Sequence, residues 1–285
     1  MNKKNNGYEY RPIIKSKFEL PEGYRIAVWV VINMEYFEYG IPYPADSDKH
    51  VPNVMTHSWR EYGSRVGIWR LLKIMDDHEI KPVVALNSAI CDHMPEVIDA
   101  FVERDLEIIG HGITNSQRLG GLSVEEEQSV IKGCKDRIKA ATGDSPRGWL
   151  GPGLSENFST IDTLIKQKFD YVCDWCNDDL QYLFNTNKGK IVSIPYSGEI
   201  NDVSLFTKKN LTGKQFQETI MDQFEVLYEE RNRLMPIAIH PHITGQAFRA
   251  KYFEEIISRI KGMEEVWWPG CGEMCDYYKN TESIK

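Results

Sequence analysis

The chain has 285 residues, enough to bury a substantial core without several domains, so a single domain spanning residues 1–285 is expected. Acids and bases are mixed along its length to a formal charge of −8, which gives a nucleic-acid backbone little general attraction. No apolar run approaches the roughly 20 residues that cross a bilayer, and no secretory core follows the polar residues 1–7, so nucleic acid and membrane are not expected partners and the cytoplasm is the expected compartment.

After an N-terminal extension over residues 1–24, short apolar runs alternate with longer amphipathic ones, the pattern of buried parallel strands joined by surface helices. Strands are predicted at 25–32, 82–86, 106–110, 147–150, 170–174, 191–195, 236–239 and 265–268. Helices are predicted at 65–76, 94–104, 124–141, 158–166, 213–231 and 250–261. Ser123 with Glu126, and Thr212 with Gln215, have the spacing of capping boxes at two helix starts. Residues 35–60 hold aromatics, prolines and two histidines without a strand or helix period, and are long for a connection, so they are expected to form an active-site loop.

The six cysteines are too sparse for a disulfide scaffold. Cys173 with Cys176, and Cys271 with Cys275, are close pairs, but Cys173 lies in an apolar strand and no knuckle glycine follows either pair. Buried, reduced thiols are therefore expected rather than a zinc centre.

Polar residues stand directly after the apolar strands: Asn33 and Glu35, Asn87, His111 and Asn115, Asp174, and His240 and His242. In a parallel α/β fold such residues converge on one rim, where loops form a pocket over a fixed scaffold. Glu35 and His111 could ligate a divalent cation such as zinc, but the amide of Asn115 is a weak third donor. Without metal, Glu35 could take a proton from water and His111 could polarise a carbonyl, the alternative being hydrogen-bonded loop support. His240 could protonate a leaving nitrogen, and His242 could bind substrate; both could equally be satisfied structural imidazoles. Arg65 could grip a carboxylate or carbonyl edge, or brace its loop against an acid. Asp178 or Asp179 could orient Arg65 or a histidine, with Trp175 and Tyr182 shaping the cavity. Of Trp267 and Trp268, at least one is expected to border it.

At these motifs the chain resembles the polysaccharide-deacetylase superfamily, from about Arg25 to Tyr278, and within it the branch of cofactor-independent allantoinases and intracellular peptidoglycan-deacetylase-like proteins. The resemblance implies a distorted (β/α) barrel, with a central parallel sheet and outer helices. It places the superfamily's first acidic motif on Asn33-Met34-Glu35, where metal-dependent members carry a basic aspartate at the first position and a ligand at the second. Its two histidine ligands fall on His111 and Asn115. The segment Trp59-Arg60-Glu61-Tyr62-Gly63-Ser64-Arg65, Gly148-Trp149, Asn177-Asp178-Asp179-Leu180 and His240-Pro241-His242-Ile243-Thr244-Gly245 match the branch, with Arg249 at its basic position. An arginine often found after Trp149 is absent from Leu150-Gly151-Pro152-Gly153.

The residues and the resemblance together point to a hydrolase of a non-peptide carbon–nitrogen bond, in a small cyclic amide or ureide such as allantoin, with no required cofactor. Glu35, His111 and His240 would be catalytic. Asn33, Arg65, Asn115, Trp149, Trp175, Asp178, Asp179, His242 and Arg249 would bind substrate. The alternatives are a metal-dependent deacetylase of an N-acetylated sugar or small amide, with Glu35 and His111 on the metal, and a non-catalytic binding protein. The partner is a small molecule, and homo-oligomerisation is compatible with the sequence.

Overall fold

The computed structural model describes residues 7–8, 10–43 and 49–283; residues 1–6, 9 and 44–48, which belong to the expected extension and loop, lie outside the described residues. Its strands are β1 (Ile26–Met34), β2 (Val83–Leu86), β3 (Ile108–Gly110), β4 (Gly148–Trp149), β5 (Tyr171–Val172), β6 (Tyr182–Thr186), β7 (Gly189–Ser193), β8 (Arg233–Ile239) and β9 (Val266–Trp267). They form one curled sheet in the order β6-β7-β5-β4-β3-β2-β1-β8, with β9 on the start of β1, and every pairing is parallel except β6 on β7. Around it lie α1 (Val54–Tyr62), α2 (Ile68–Asp77), α3 (Ile90–His93), α4 (Pro95–Glu103), α5 (Val124–Thr142), α6 (Thr160–Lys166), α7 (Gly213–Glu230), α8 (Ala247–Lys261) and α9 (Cys271–Ser283). This is the distorted α/β barrel that the sequence predicts. No helix of the described residues is long and apolar enough to cross a membrane.

The period of two along each strand divides the core in two. Ile26, Val28, Val30, Ile32 and Met34 of β1 pack outward under the helices, while Ala27, Trp29 and Val31 fill the barrel with Val83, Ala85, Ile109, Leu150, Tyr171, Cys173, Val192, Ile194, Leu234 and Ala238. Phe216, Ile220, Met221, Phe224 and Leu227 form the buried face of α7, as their spacing predicts, and both capping boxes are present.

All eight predicted strands are found, but several features depart from the sequence reading. The region 35–60 is not wholly loop: Asn53 Oδ1 accepts from Thr56 N at 3.1 Å and starts α1, which continues through a π-helical turn (Gly63–Gly67) into α2. No residue of α1 is buried, so the segment lacks the apolar stripe that would announce a helix. The edge strand β6 was not expected, and neither was α9. That last helix is held by polar contacts under the barrel: Gly272 N donates to Glu107 Oε1 at 2.7 Å, Arg147 pairs with Asp276 at 2.6 Å, and Lys279 pairs with Asp170 at 2.7 Å. Cys91 is half-buried and Cys134, Cys173, Cys271 and Cys275 are buried, all as free thiols, whereas Cys176 faces solvent against expectation. Trp267 stacks on Tyr24 with ring centroids 6.1 Å apart, at the end where β9 joins the start of β1, so it does not border the strand-end rim.

Candidate active site

The same alternation that fills the barrel carries the site. Asn33 and Glu35 continue the inward phase of Ala27, Trp29 and Val31; Asn87 continues that of Val83 and Ala85; His111 follows Ile109; and His240 follows Leu234 and Ala238. Inward-pointing polar groups therefore succeed inward-pointing apolar ones where each strand ends, and they meet over the closed top of the core.

At their centre is the Glu35 carboxylate. Its Oε1 lies 3.6 Å from His111 Nε2, 3.6 Å from His240 Nε2, and accepts a hydrogen bond from Asn115 Nδ2 at 2.6 Å. The three side chains are nearly closed to solvent, at 9%, 4% and 6% exposure for Glu35, His111 and His240. Burial alone would raise the pKa of Glu35, but the two histidines outweigh it and hold the carboxyl well below the usual range.

The two imidazoles are held differently. His111 Nδ1 lies 2.5 Å from the Leu150 carbonyl, which can only accept, so Nδ1 carries the hydrogen; in the neutral ring Nε2 keeps its lone pair, and no other group hydrogen-bonds it. Asn87 fixes the backbone here by accepting from Tyr36 N at 2.8 Å and donating to the His111 carbonyl. His240 Nδ1 meets Asp202 Oδ1 at 2.6 Å, while Asp202 Oδ2 accepts from His240 N at 2.7 Å and from Thr244 Oγ1 at 2.6 Å. Burial lowers the pKa of His240, but Asp202 on one side and Glu35 on the other carry it up to about 10, so this ring is an imidazolium at neutral pH. His242, next along, is held neutral: burial, with the charge of His240, takes its pKa down to about 4.

The remaining predicted residues divide. Asn115 is at the centre and His242 beside it, edge-on to Trp59 with centroids 4.8 Å apart. Asn33 is below the centre, donating to the Ile239 carbonyl at 3.2 Å and accepting from Tyr196 Oη at 3.2 Å, a brace between β1 and β8. Arg249 lies behind the His240 loop, its Cζ 4.5 Å from the centroid of Phe206. Trp149 does not face the pocket: it is on the outward phase of β4, packed on Phe169 with centroids 5.8 Å apart. Asp174 shares the outward phase, and Trp175 stacks on Tyr8 with centroids 5.5 Å apart.

Arg65 is exposed on the π-helical turn. Asp178 and Asp179 cannot orient it from where they lie, because the Asp179 carbonyl accepts from Leu234 N at 2.9 Å, at the opposite end of β8 from His240. The glycines around Arg65 explain its segment instead. A Cβ on Gly63 would lie 2.6 Å from His242 N, and one on Gly67 would lie 2.0 Å from the Pro241 carbonyl. The motif is a bare surface on which the His240-Pro241-His242 loop is seated.

Asp202 was missed, and its only sequence signal is an acid after an apolar strand and a proline. Also missed were Arg60 and Arg118, which flank Tyr43 at 4.7 and 5.9 Å from its ring centroid.

The curled parallel sheet, its outer helices and the buried carboxylate between two imidazoles at the strand ends define a barrel of the deacetylase type. Residues 61–172 match the family model described as polysaccharide deacetylase. A protein of Schizosaccharomyces pombe curated as "Putative polysaccharide deacetylase" is 26% identical, over 87% of this chain and 88% of that one. A crystal structure of a "probable Polysaccharide deacetylase" from Pseudomonas aeruginosa PAO1 is similar with a TM-score of 0.81 and 25% identity, over 92% of this chain and 93% of that one. The crystal structure of Puue allantoinase shares the fold with a TM-score of 0.84 and 24% identity, over 96% of this chain and 99% of that one.

Proposed function

We propose that the protein hydrolyses a carbon–nitrogen bond in a small cyclic amide or ureide, and that its acid and base are two histidines poised against one carboxylate. The observation that carries this reading is the asymmetry between them. His240 is charged and keeps a hydrogen on Nε2, whereas His111 spends Nδ1 on the Leu150 carbonyl and leaves Nε2 without a hydrogen-bond partner, and Glu35 stands 3.6 Å from both.

The base role expected of Glu35 passes to His111, because a carboxylate held far below its usual pKa is a poor proton acceptor. Water attacks the carbonyl carbon while His111 Nε2 takes its proton. The C–N bond then breaks as His240 Nε2 gives its proton to the departing nitrogen, which could not leave as an anion. The new charge on His111 is stabilised by Glu35, as the lost charge on His240 was, so the carboxylate balances the proton in either position. In a ring the cleaved amine and acid stay in one product.

The donor set does not fit a resident metal. Glu35 and His111 are two strong ligands, the third position offers only the neutral amide oxygen of Asn115, a weak donor to zinc, and the other imidazole, His240, is protonated and tied to Asp202. Among the described residues no cluster of three histidine, cysteine or acidic side chains is arranged to hold an ion. The deacetylase reading, which the family model favours, would need a different arrangement of these groups.

Chelator-treated protein, offered allantoin, hydantoin and N-acetylglucosamine with ring opening and acetate release followed separately, separates the readings. Ring opening without metal supports this one; acetate release restored by metal replaces it with deacetylation.

A further inference from the structure

Arg118, in the loop after β3, is a half-buried charge that the site described so far does not use. Its guanidinium lies flat over Gly153, in the loop after β4: a Cβ on that glycine would meet Arg118 Cζ at 2.8 Å and Nη1 at 3.0 Å. Gly153 has φ +62°, where a side chain is disfavoured, so the β4 loop offers a bare floor on which the guanidinium rests. Tyr43, from the loop after β1, stands above. Burial raises the pKa of its phenol, the Glu35 charge raises it further, and Arg118 and Arg60 act the other way. Arg60 and Arg118 lie with Cζ 4.7 and 5.9 Å from the ring centroid and the phenol hydrogen-bonds Arg118, so three loops meet at this guanidinium.

Arg118 Nε is buried with no hydrogen-bond partner, and among the described residues no carboxylate pairs with Arg118. Its phenol partner Tyr43 uses part of the donor fork, and a guanidinium paired with no acid among the described residues, beside the candidate centre, has donors to give a ligand. A buried donor left unmade costs free energy that such a ligand would recover. The planar fork suits a flat edge of two acceptors rather than a hydroxyl-rich ring.

Resting on the hydrolase reading above, we propose that Arg118 is the specificity anchor of the site, taking a planar oxygen edge of the substrate across Gly153 while Tyr43 closes over it. That edge belongs to a ring carbonyl of an intact ureide or to a carboxylate beside the scissile amide.

The test combines turnover with calorimetric titration, using hydantoin as the neutral carbonyl probe and N-carbamoylglycine as the carboxylate probe. R118A is expected to raise KM, and the Kd of the probe that binds, by about tenfold or more, the worth of one charge-assisted hydrogen bond. With the chemistry elsewhere, kcat should stay within about threefold. R118K should not restore binding, because an ammonium offers no fork. G153A should reproduce the defect with the charge intact, because its Cβ displaces the guanidinium. Loss of hydantoin binding assigns the ring carbonyl, and loss of N-carbamoylglycine binding assigns the carboxylate. Equal affinity in R118A and wild type, or no binding of either probe by wild type, overturns the proposal. Arg118-dependent binding with no ring opening would leave the anchor standing and remove the hydrolase reading.

Discussion

Asp202 Oδ1 lies 2.6 Å from His240 Nδ1, so the imidazole is fixed from behind and turns Nε2 toward Glu35. In D202N the ring keeps an acceptor but loses the charge that stabilises its protonated form. The pKa of His240 should then fall from about 10 toward its ordinary value, and the alkaline limb of kcat/KM should move down with it. Near pH 8 a ring at its ordinary value of 6.5 is only about 3% protonated, so the rate should drop by roughly thirtyfold. An alkaline limb that stays in place would remove His240 as the acid.

The same pair predicts how stability depends on pH. A histidine whose pKa is raised on folding contributes stability in full below its unfolded value of 6.5, and loses it as pH rises through about 10. Glu35, with its pKa lowered on folding, contributes above 4.5 and loses that contribution as pH falls through its depressed value. His242, with its pKa lowered to about 4, loses its contribution as pH falls below 6.5, so wild-type Tm should be highest near pH 6.5 and decline on both sides. Thermal melts of D202N should show a shallower alkaline decline, and an identical profile would contradict the assignment.

Much of this centre was legible because it follows from periodicity. A strand that alternates inward and outward sends Asn33, Glu35, Asn87, His111 and His240 inward once Ala27, Val83, Ile109 and Leu234 are placed in the barrel. Trp149 fell outside the pocket by the same rule, one residue out of phase with Leu150. Asp202 was not legible, since it is brought to His240 by the bridge of Asn201 to Ala238, a contact across the sheet opening that no local pattern announces. Asp178 and Asp179 were misplaced because an acid after a strand signals nothing about whether the following chain stays at the top or descends. Here it descends to Leu234.

Asn33 makes a prediction that separates bracing from catalysis. Its Nδ2 donates to the Ile239 carbonyl at 3.2 Å, which a carboxylate cannot do. N33D would face one oxygen with another in a buried site, costing about 1–3 kcal/mol. The new carboxyl would have its pKa raised on folding. The penalty should therefore grow as pH rises through the unfolded aspartate value of about 4 and fade below it. Urea melts of N33D at acid and neutral pH would show this, and a variant equally stable at both would mean that Asn33 braces nothing.

Gly67 tests whether the π-helical turn matters for its side chains or for their absence. A Cβ there would lie 2.0 Å from the Pro241 carbonyl, against backbone that cannot rotate away. G67A should therefore lift the His240-Pro241-His242 loop from its seat, costing about 1–3 kcal/mol as overpacking does, and lowering Tm by several degrees. Displacing His240 from Glu35 should also lower kcat, whereas S64A, whose hydroxyl only donates to the local Glu61 carbonyl at 3.0 Å, should leave both nearly unchanged. R65A is the decisive companion: if the exposed guanidinium were a substrate grip, R65A would raise KM while G67A left the loop intact. The packing argument requires the reverse, with G67A damaging both stability and rate and R65A damaging neither.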